Sequence, residues 1–255
     1  MNIAICTIFP DLLEPFLRTG TVSRAISRGL ARIDVRDIRA HSVDDRGSVD
    51  DYQFGGGAGM LMRPEPLFET LESIPWSRES RVILMSPAGR PLTHSLAGEL
   101  AKEAALVLFC GRYGGVDERF RSIADDEISV CDAVTSGGEL PAMILVEAVL
   151  RWIPGVLGRL ESARTDSFST GLLDFPRYTR PAAFRGMAVP EVLLSGNHAA
   201  IIQWRFQQAL ERTRKLRPDL LEDVDVDALR TEFEKLQERA DRSSIVSADK
   251  DEEHG

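Results

Sequence analysis

The chain has 255 residues, 43% hydrophobic and 28% charged, with a formal net charge of −9. That size and balance fit one large globular domain, or a large one with a small companion, and argue against a uniformly polyanion-binding surface. No apolar run approaches the roughly 20 residues of a membrane span, and MNIAICTIFPD has neither a basic lead nor a cleavage site, so a cytoplasmic chain without a signal peptide is expected.

Asn2 to Phe9 reads as a first strand, closed by Pro10-Asp11. Leu12 to Leu17 and Val22 to Leu30 read as helical, and Arg32 to Arg39 as a second strand. His41 to Arg63 reads as a long loop, since Gly55, Gly56, Gly57 and Gly59 cannot hold a helix or strand. Its apolar flanks, Phe54 and Met60-Leu61-Met62, argue for order and for function. A helix is expected from Pro64 to about Ser73, a buried strand over Arg81 to Ser86, and a helix from Thr93 to Ala104. Ala105 to Cys110 is a wholly apolar strand, Asp117 to Ala124 a helix, and Glu127 to Cys131 a short strand. Ser136-Gly137-Gly138 is a tight turn into an apolar helix from Leu140 to Ile153, with Pro141 in its first turn and Pro154-Gly155 as its stop.

Strand and helix alternate, so the fold class is α/β with a mostly parallel sheet. Three successive strands end in small-residue loops, Ser86 to Gly89, Gly111 to Gly115 and Ser136 to Gly138. In parallel sheets ligands bind at the carboxyl ends of strands, so three such loops favour one shared small-molecule site. For a single loop an ordinary strand–helix connection would suffice. Neither GxGxxG with a following acid nor GxxxxGK[ST] is present, which disfavours a dinucleotide or nucleoside-triphosphate enzyme.

Arg159 to Phe175 is a polar connector, after which composition shifts. Pro181 to Val192 reads as loop, and Asn197 to Arg214 and Val226 to Asp241 as amphipathic helices. The expected organisation is therefore a domain over 1–159, a linker over 160–175, a small helical domain over 176–242 and a disordered tail over 243–255. From Arg177 to Arg217 eight basic residues face only Glu191 and Glu211, so this stretch is locally basic within an acidic chain. That points to a localised polyanion site or to a solvated helix face, and charge alone does not separate the two. Cys6, Cys110 and Cys131 sit in apolar runs without a CxxC pair and are expected to be buried free thiols. Four scattered histidines show no metal-ligand spacing, so no metal site is expected.

FGGGAGMLM, LMSPAGRPL, CGRYGGVDER, SGGELPAM, RWIPGVLG, DSFSTGLLDFPRYTRP and VPEVLLSGNHAAI occur in order across Asn2 to Leu236. On these strings the chain resembles the bacterial tRNA (guanine-N1)-methyltransferases, the TrmD type of the SPOUT superfamily. The resemblance implies a trefoil knot, a homodimer with active sites shared between subunits, and S-adenosylmethionine as methyl donor. The implied substrate is the guanosine 3′ to the anticodon in certain tRNAs, held by its anticodon stem-loop. A magnesium requirement is allowed, without a carboxylate cluster that would locate it.

The chemistry adds a physical reason. Guanine N1 carries a proton, so methylation there needs a base, and charge spreads to O6, where a guanidinium stabilises it. By resemblance Asp166 is that base and Arg151 the guanine-contacting arginine; read alone they are a linker carboxylate or helix cap and a surface ion-pair partner. Leu84, Met85, Ser86, Gly111, Arg112, Tyr113, Gly114, Val130, Cys131, Asp132, Ala133, Val134, Thr135, Gly137, Gly138 and Pro141 match the donor pocket. Gly57, Gly59, Ser167, Asp174, Asn197 and His198 match the substrate side, and Arg205, Arg212, Arg214 and Lys215 are candidate phosphate contacts. The chain departs from the family pattern at Gly114 (usually Glu), Cys131 (usually Gly), Ala133 (usually Tyr), Thr135 (usually Leu) and Arg177 (usually His). These departures keep a second reading open, a divergent paralogue that binds RNA with weak or lost donor binding, or that methylates another target.

Overall fold

The computed structural model describes residues 1–157 and 165–252, with side chains described through residue 241. The chain divides into two compact units, Met1–Gly158 and Arg159–Gly255. The sequence-expected linker therefore groups with the second unit, and its residues 160–164 lie outside the described residues.

In the first unit β1 (Asn2–Thr7) leads through α1 (Glu14–Leu17) and α2 (Gly20–Ser27) to β2 (Arg32–Asp37). A small antiparallel hairpin follows, β3 (Asp50–Tyr52) and β4 (Met60–Met62), then α3 (Pro64–Glu72). Next come β5 (Arg81–Pro91), α4 (His94–Leu100), β6 (Ala105–Cys110), α5 (Glu118–Arg121), β7 (Asp126–Ser129) and α6 (Glu139–Leu150). Five strands form one sheet in the order β2-β1-β6-β5-β7, and every pairing is parallel.

Side chains on a strand alternate between faces, so each central strand feeds two cores. Ile3 and Ile5 of β1, Ile83 and Met85 of β5, and Leu106 and Leu108 of β6 join one core. There they pack on Val22 and Ala25 of α2, Leu96 and Leu100 of α4, and Ala142, Leu145, Val146, Val149 and Leu150 of α6. Ala4, Cys6, Val82, Leu84, Val107 and Phe109 serve the other, with Leu67 of α3 and Phe120 of α5. This three-layer arrangement is what continuous apolar strands require, and it explains why Ala105–Cys110 is buried at every position.

The second unit holds a hairpin of β8 (Ala183–Phe184) and β9 (Met187–Ala188), α7 (Glu191–Leu194), α8 (His198–Leu216) and α9 (Val226–Glu252). Leu172, Phe175, Phe206, Ala209, Leu210 and Phe233 form its core. The buried Thr213 hydroxyl donates to the Ala209 carbonyl (2.7 Å) and accepts from the Leu173 amide (2.9 Å), tying the 172–175 segment to α8 with both capacities of the hydroxyl used.

Three sequence expectations are corrected. The loop over His41 to Arg63 contains β3 and β4, whose DDY and MLM are too short to carry a strand signature. The strand expected to end at Ser86 resumes after a bulge and runs to Pro91. Pro181 to Val192 is not plain loop but the β8–β9 hairpin and α7. The backbone of α9 runs to Glu252. No helix among the described residues is long and apolar enough to cross a membrane.

Candidate active site

The strands β6, β5 and β7 are neighbours and parallel, so their carboxyl ends share one edge of the sheet. Within β5 the register breaks: Met85 and Arg90 both pair with Ile128, and residues 86–89 bulge between them. Gly89 permits the return, since a Cβ there would lie 2.4 Å from the Ile128 amide nitrogen. The segment after β7 does not stay at its edge of the sheet. It crosses the end of β5 to reach β6, where the Gly138 amide donates to the Gly111 carbonyl (2.9 Å) and Gly137 bridges Arg112.

That crossing closes a cavity of about 450 Å³. Every residue expected for the donor pocket lines it except Asp132. Pro87, Ala88, Gly115 and Ser136, all within the three loops read from sequence, line it too, and Val116, Arg121, Ile128 and Ser129, which were not singled out, complete it. The volume falls in the range, about 300–1,000 Å³, of pockets that enclose a small organic ligand. At the closing loop the wall presses on the backbone of β6. A Cβ on Gly138 would sit 2.8 Å from the Cys110 Cα and 3.1 Å from the Gly111 nitrogen, with no flexible side chain to yield.

Beneath the loop lies a buried polar network that the sequence reading missed. Glu139, 1% exposed at the first turn of α6, accepts from the Thr7 hydroxyl (2.7 Å) and from Arg112 Nε (3.0 and 3.1 Å). Arg112 also donates to the Ser136 carbonyl (3.3 Å) and stacks over the Phe9 ring at 4.5 Å. A buried carboxylate is tolerable only with such partners, and the positive end of α6 adds to them. Gly137 makes room for the guanidinium, because a Cβ would come 2.1 Å from Arg112 Nε. An acid opening a mostly apolar helix was a signal for Glu139 alone, and nothing local pointed to its partners.

Arg121 and Glu127 pair at the rim (2.7 Å), and Arg121 reaches Ser86 Oγ at 3.4 Å. The hydrogen bond from Arg121 holds the Glu127 carboxyl below its usual range, and Glu127 in turn raises Arg121. Burial pushes the Cys6 and Cys110 thiols well up, Glu139 adding to the effect at Cys110. Cys131, by contrast, is exposed on the crossing loop, which corrects the expectation of three buried thiols.

The Tyr113–Gly115 turn is clasped to β4. The Gly114 amide donates to the Met60 carbonyl (2.8 Å), and the Met62 amide donates to Gly115 (2.9 Å). A Cβ on Gly114 would stand 3.1 Å from the Met60 oxygen, so glycine suits this contact. Gly57 and Gly59 lie on the exposed loop between β3 and β4. Arg151 caps the carboxyl end of α6.

Asp166 belongs to the second unit, half-buried beside Ser169, Thr170, Phe233 and Gln237. Its neighbours form a tight structure: Ser167 Oγ accepts from the Asp174 amide (2.9 Å), and Asp174 binds Arg177 Nε (2.6 Å). Asn197 is the amino-terminal cap of α8, accepting from the Ala200 amide (3.2 Å). His198 is exposed, with Nδ1 3.8 Å from Asp241. Arg205 binds Gln237 (3.1 Å) and Asp241 (3.4 Å), and Arg212 donates to the Asp174 carbonyl (3.0 Å), so both brace the unit internally. Arg214 and Lys215 stand exposed on the last turn of α8. Among the described residues no group of three or more His, Cys, Asp or Glu could hold a metal ion.

An all-parallel sheet with one cavity built from three loops at its carboxyl edge defines an α/β enzyme that takes a small organic molecule. Comparison with known proteins is more specific. The family described as tRNA (Guanine-1)-methyltransferase TrmD matches residues 1–223. The chain is 51% identical over 230 residues to a tRNA (guanine-N(1)-)-methyltransferase of Moorella thermoacetica, covering 89% of this chain and 92% of that one. A protein of the same name from Thermotoga petrophila is 46% identical over 245 residues, covering 94% of this chain and all of that one. One from Staphylococcus epidermidis is 50% identical over 223 residues, covering 87% and 91%. The chain belongs to the TrmD family and is a methyltransferase.

Proposed function

We propose that this enzyme methylates N1 of the guanosine 3′ to the anticodon in tRNA, using S-adenosylmethionine held in the cavity at the ends of β5, β6 and β7. The observation that carries the reading is the cavity itself, lined by the three strand-end loops and closed by Gly137 and Gly138 where no side chain fits. The bound donor supplies an electrophilic methyl group. Asp166 takes the proton from N1, and the Arg151 guanidinium donates to O6 where negative charge gathers. Arg112, anchored on Glu139, keeps the crossing loop in place.

The finer architecture follows the same reading. The segment 130–138 passing over the end of β5 to bond Gly111 supports the trefoil knot. A homodimer with shared active sites is supported by α6, apolar on faces its own unit leaves open, with Leu140 54% and Ile144 52% exposed beside Val134 at 86%. The second unit then holds the anticodon stem-loop through Arg214 and Lys215 among other groups, and the enzyme works in the cytoplasm. A methyl-transfer assay on tRNA transcripts carrying guanosine or adenosine after the anticodon tests the proposal. Product is expected with guanosine alone and is lost in Asp166→Asn; near-normal single-turnover rates in that variant reject Asp166 as the base.

A further inference from the structure

From residue 177 to residue 188 every position is exposed, yet the segment is regular. At its centre β8 and β9 pair Ala183 with Ala188 and Phe184 with Met187, and the Val189 amide closes the base on the Ala182 carbonyl (2.9 Å). Cross-strand partners lie on one face, so Phe184 and Met187 stand side by side. They are 57% and 67% exposed.

The turn residues are Arg185 and Gly186, at φ +52 and +78. Two successive positive values define the tight turn that prefers Asn-Gly, and a long L side chain at the first position is unfavourable. Arg185 is there nonetheless, with its guanidinium over the Phe184 ring at 5.2 Å. A strained residue that carries a charge onto an aromatic face calls for a functional explanation.

Charge indicates the occupant. Residues 176–190, PRYTRPAAFRGMAVP, carry Arg177, Arg180 and Arg185 and no acid. Tyr178 adds an exposed ring in the same segment. Exposed aromatic and thioether groups interleaved with arginine, without carboxylates, suit unpaired RNA, whose bases stack while its phosphates are neutralised. A second copy of the hairpin would bring arginine against arginine.

We infer that the β8–β9 hairpin is an RNA-contact element in which Phe184, Met187 and Arg185 take an unstacked tRNA base and Arg180 a phosphate. It acts in substrate binding rather than in methyl transfer. The inference rests on the tRNA reading above and extends it to residues that reading does not use.

The test measures tRNA affinity of the full-length protein, with donor affinity, thermal unfolding and sedimentation recorded alongside. Phe184→Ala and Arg185→Asn should each weaken tRNA binding about tenfold, with donor affinity unchanged. Arg185→Asn should keep or raise the unfolding temperature, because asparagine suits the turn; a purely structural Arg185 would lower it. Arg180→Ala should reduce the slope of log affinity against log salt by about one, whereas Phe184→Ala should leave it. Wild-type affinity in all three variants overturns the hairpin assignment while leaving the methyltransferase reading intact. A wild-type protein that neither binds nor methylates tRNA overturns both. Variants that sediment as a smaller species show the face to be a self-interface and reject the RNA assignment.

Discussion

Two glycine-rich loops of the first unit use the same residue for opposite reasons. At Gly137 and Gly138 the backbone is ordinary and space is the constraint, because neighbouring atoms occupy the volume a Cβ would need. Along Gly55, Gly56 and Gly59 space is open and conformation is the constraint, with φ of +84, +77 and +90. The first loop is a wall pressed against β6. The second is a turn whose shape any L residue resists. A glycine count treats them alike, but they break differently when mutated.

The largest effect is expected where the wall is braced. Arg112→Ala leaves the Glu139 carboxylate buried and without its guanidinium, the Thr7 hydroxyl still bonded to it, and should cost about 3 kcal/mol by chemical denaturation. Gly138→Ala follows. Its new methyl meets backbone at 2.8 Å, so overpacking should cost about 2–3 kcal/mol and donor affinity should fall with it. Gly56→Ala should cost about 1 kcal/mol through backbone conformation alone, with donor affinity unmoved in calorimetry. Equal losses of donor affinity in Gly138→Ala and Gly56→Ala would erase the distinction between the loops.

A smaller effect comes from the rim. Glu127 has its folded pKa depressed by Arg121, so its contribution is present above the unfolded carboxylate value and is lost as pH falls through the lower folded one. Wild type should therefore lose stability on acidification more steeply than Glu127→Gln, with a difference of about 1 kcal/mol at neutral pH that vanishes in acid. Thiol labelling of the native protein gives the mildest check. Cys131 should react, while Cys6 and Cys110 stay silent behind burial and raised pKa, and donor should slow the reaction.

The same comparison shows what the sequence could and could not reveal. Ala105–Cys110 was legible to the residue because a six-residue apolar run buried on both faces has no other economical structure. The cavity loops were legible as a group because small residues recur at three strand ends. The β3–β4 and β8–β9 hairpins were not, since DDY, AF and MA carry no alternation and Arg-Gly is a poor turn signal. The Thr7–Arg112–Glu139 network was invisible for a different reason. Its members are over a hundred residues apart at the extremes, and only the crossing of segment 130–138 brings them together. For the same reason the sequence, which offers Arg205 and Arg212 as candidate phosphate contacts, does not show the bonds they make within their own unit.

Calorimetric titration with S-adenosylmethionine, run on wild type and on Gly138→Ala with thermal unfolding as the fold control, tests the central claim most directly. The expected result is saturable binding by wild type and affinity lowered about 100-fold, near 2.7 kcal/mol, in a folded variant. No binding heat at saturating donor in wild type, or unchanged affinity in Gly138→Ala, would contradict the assignment of the cavity to the methyl donor.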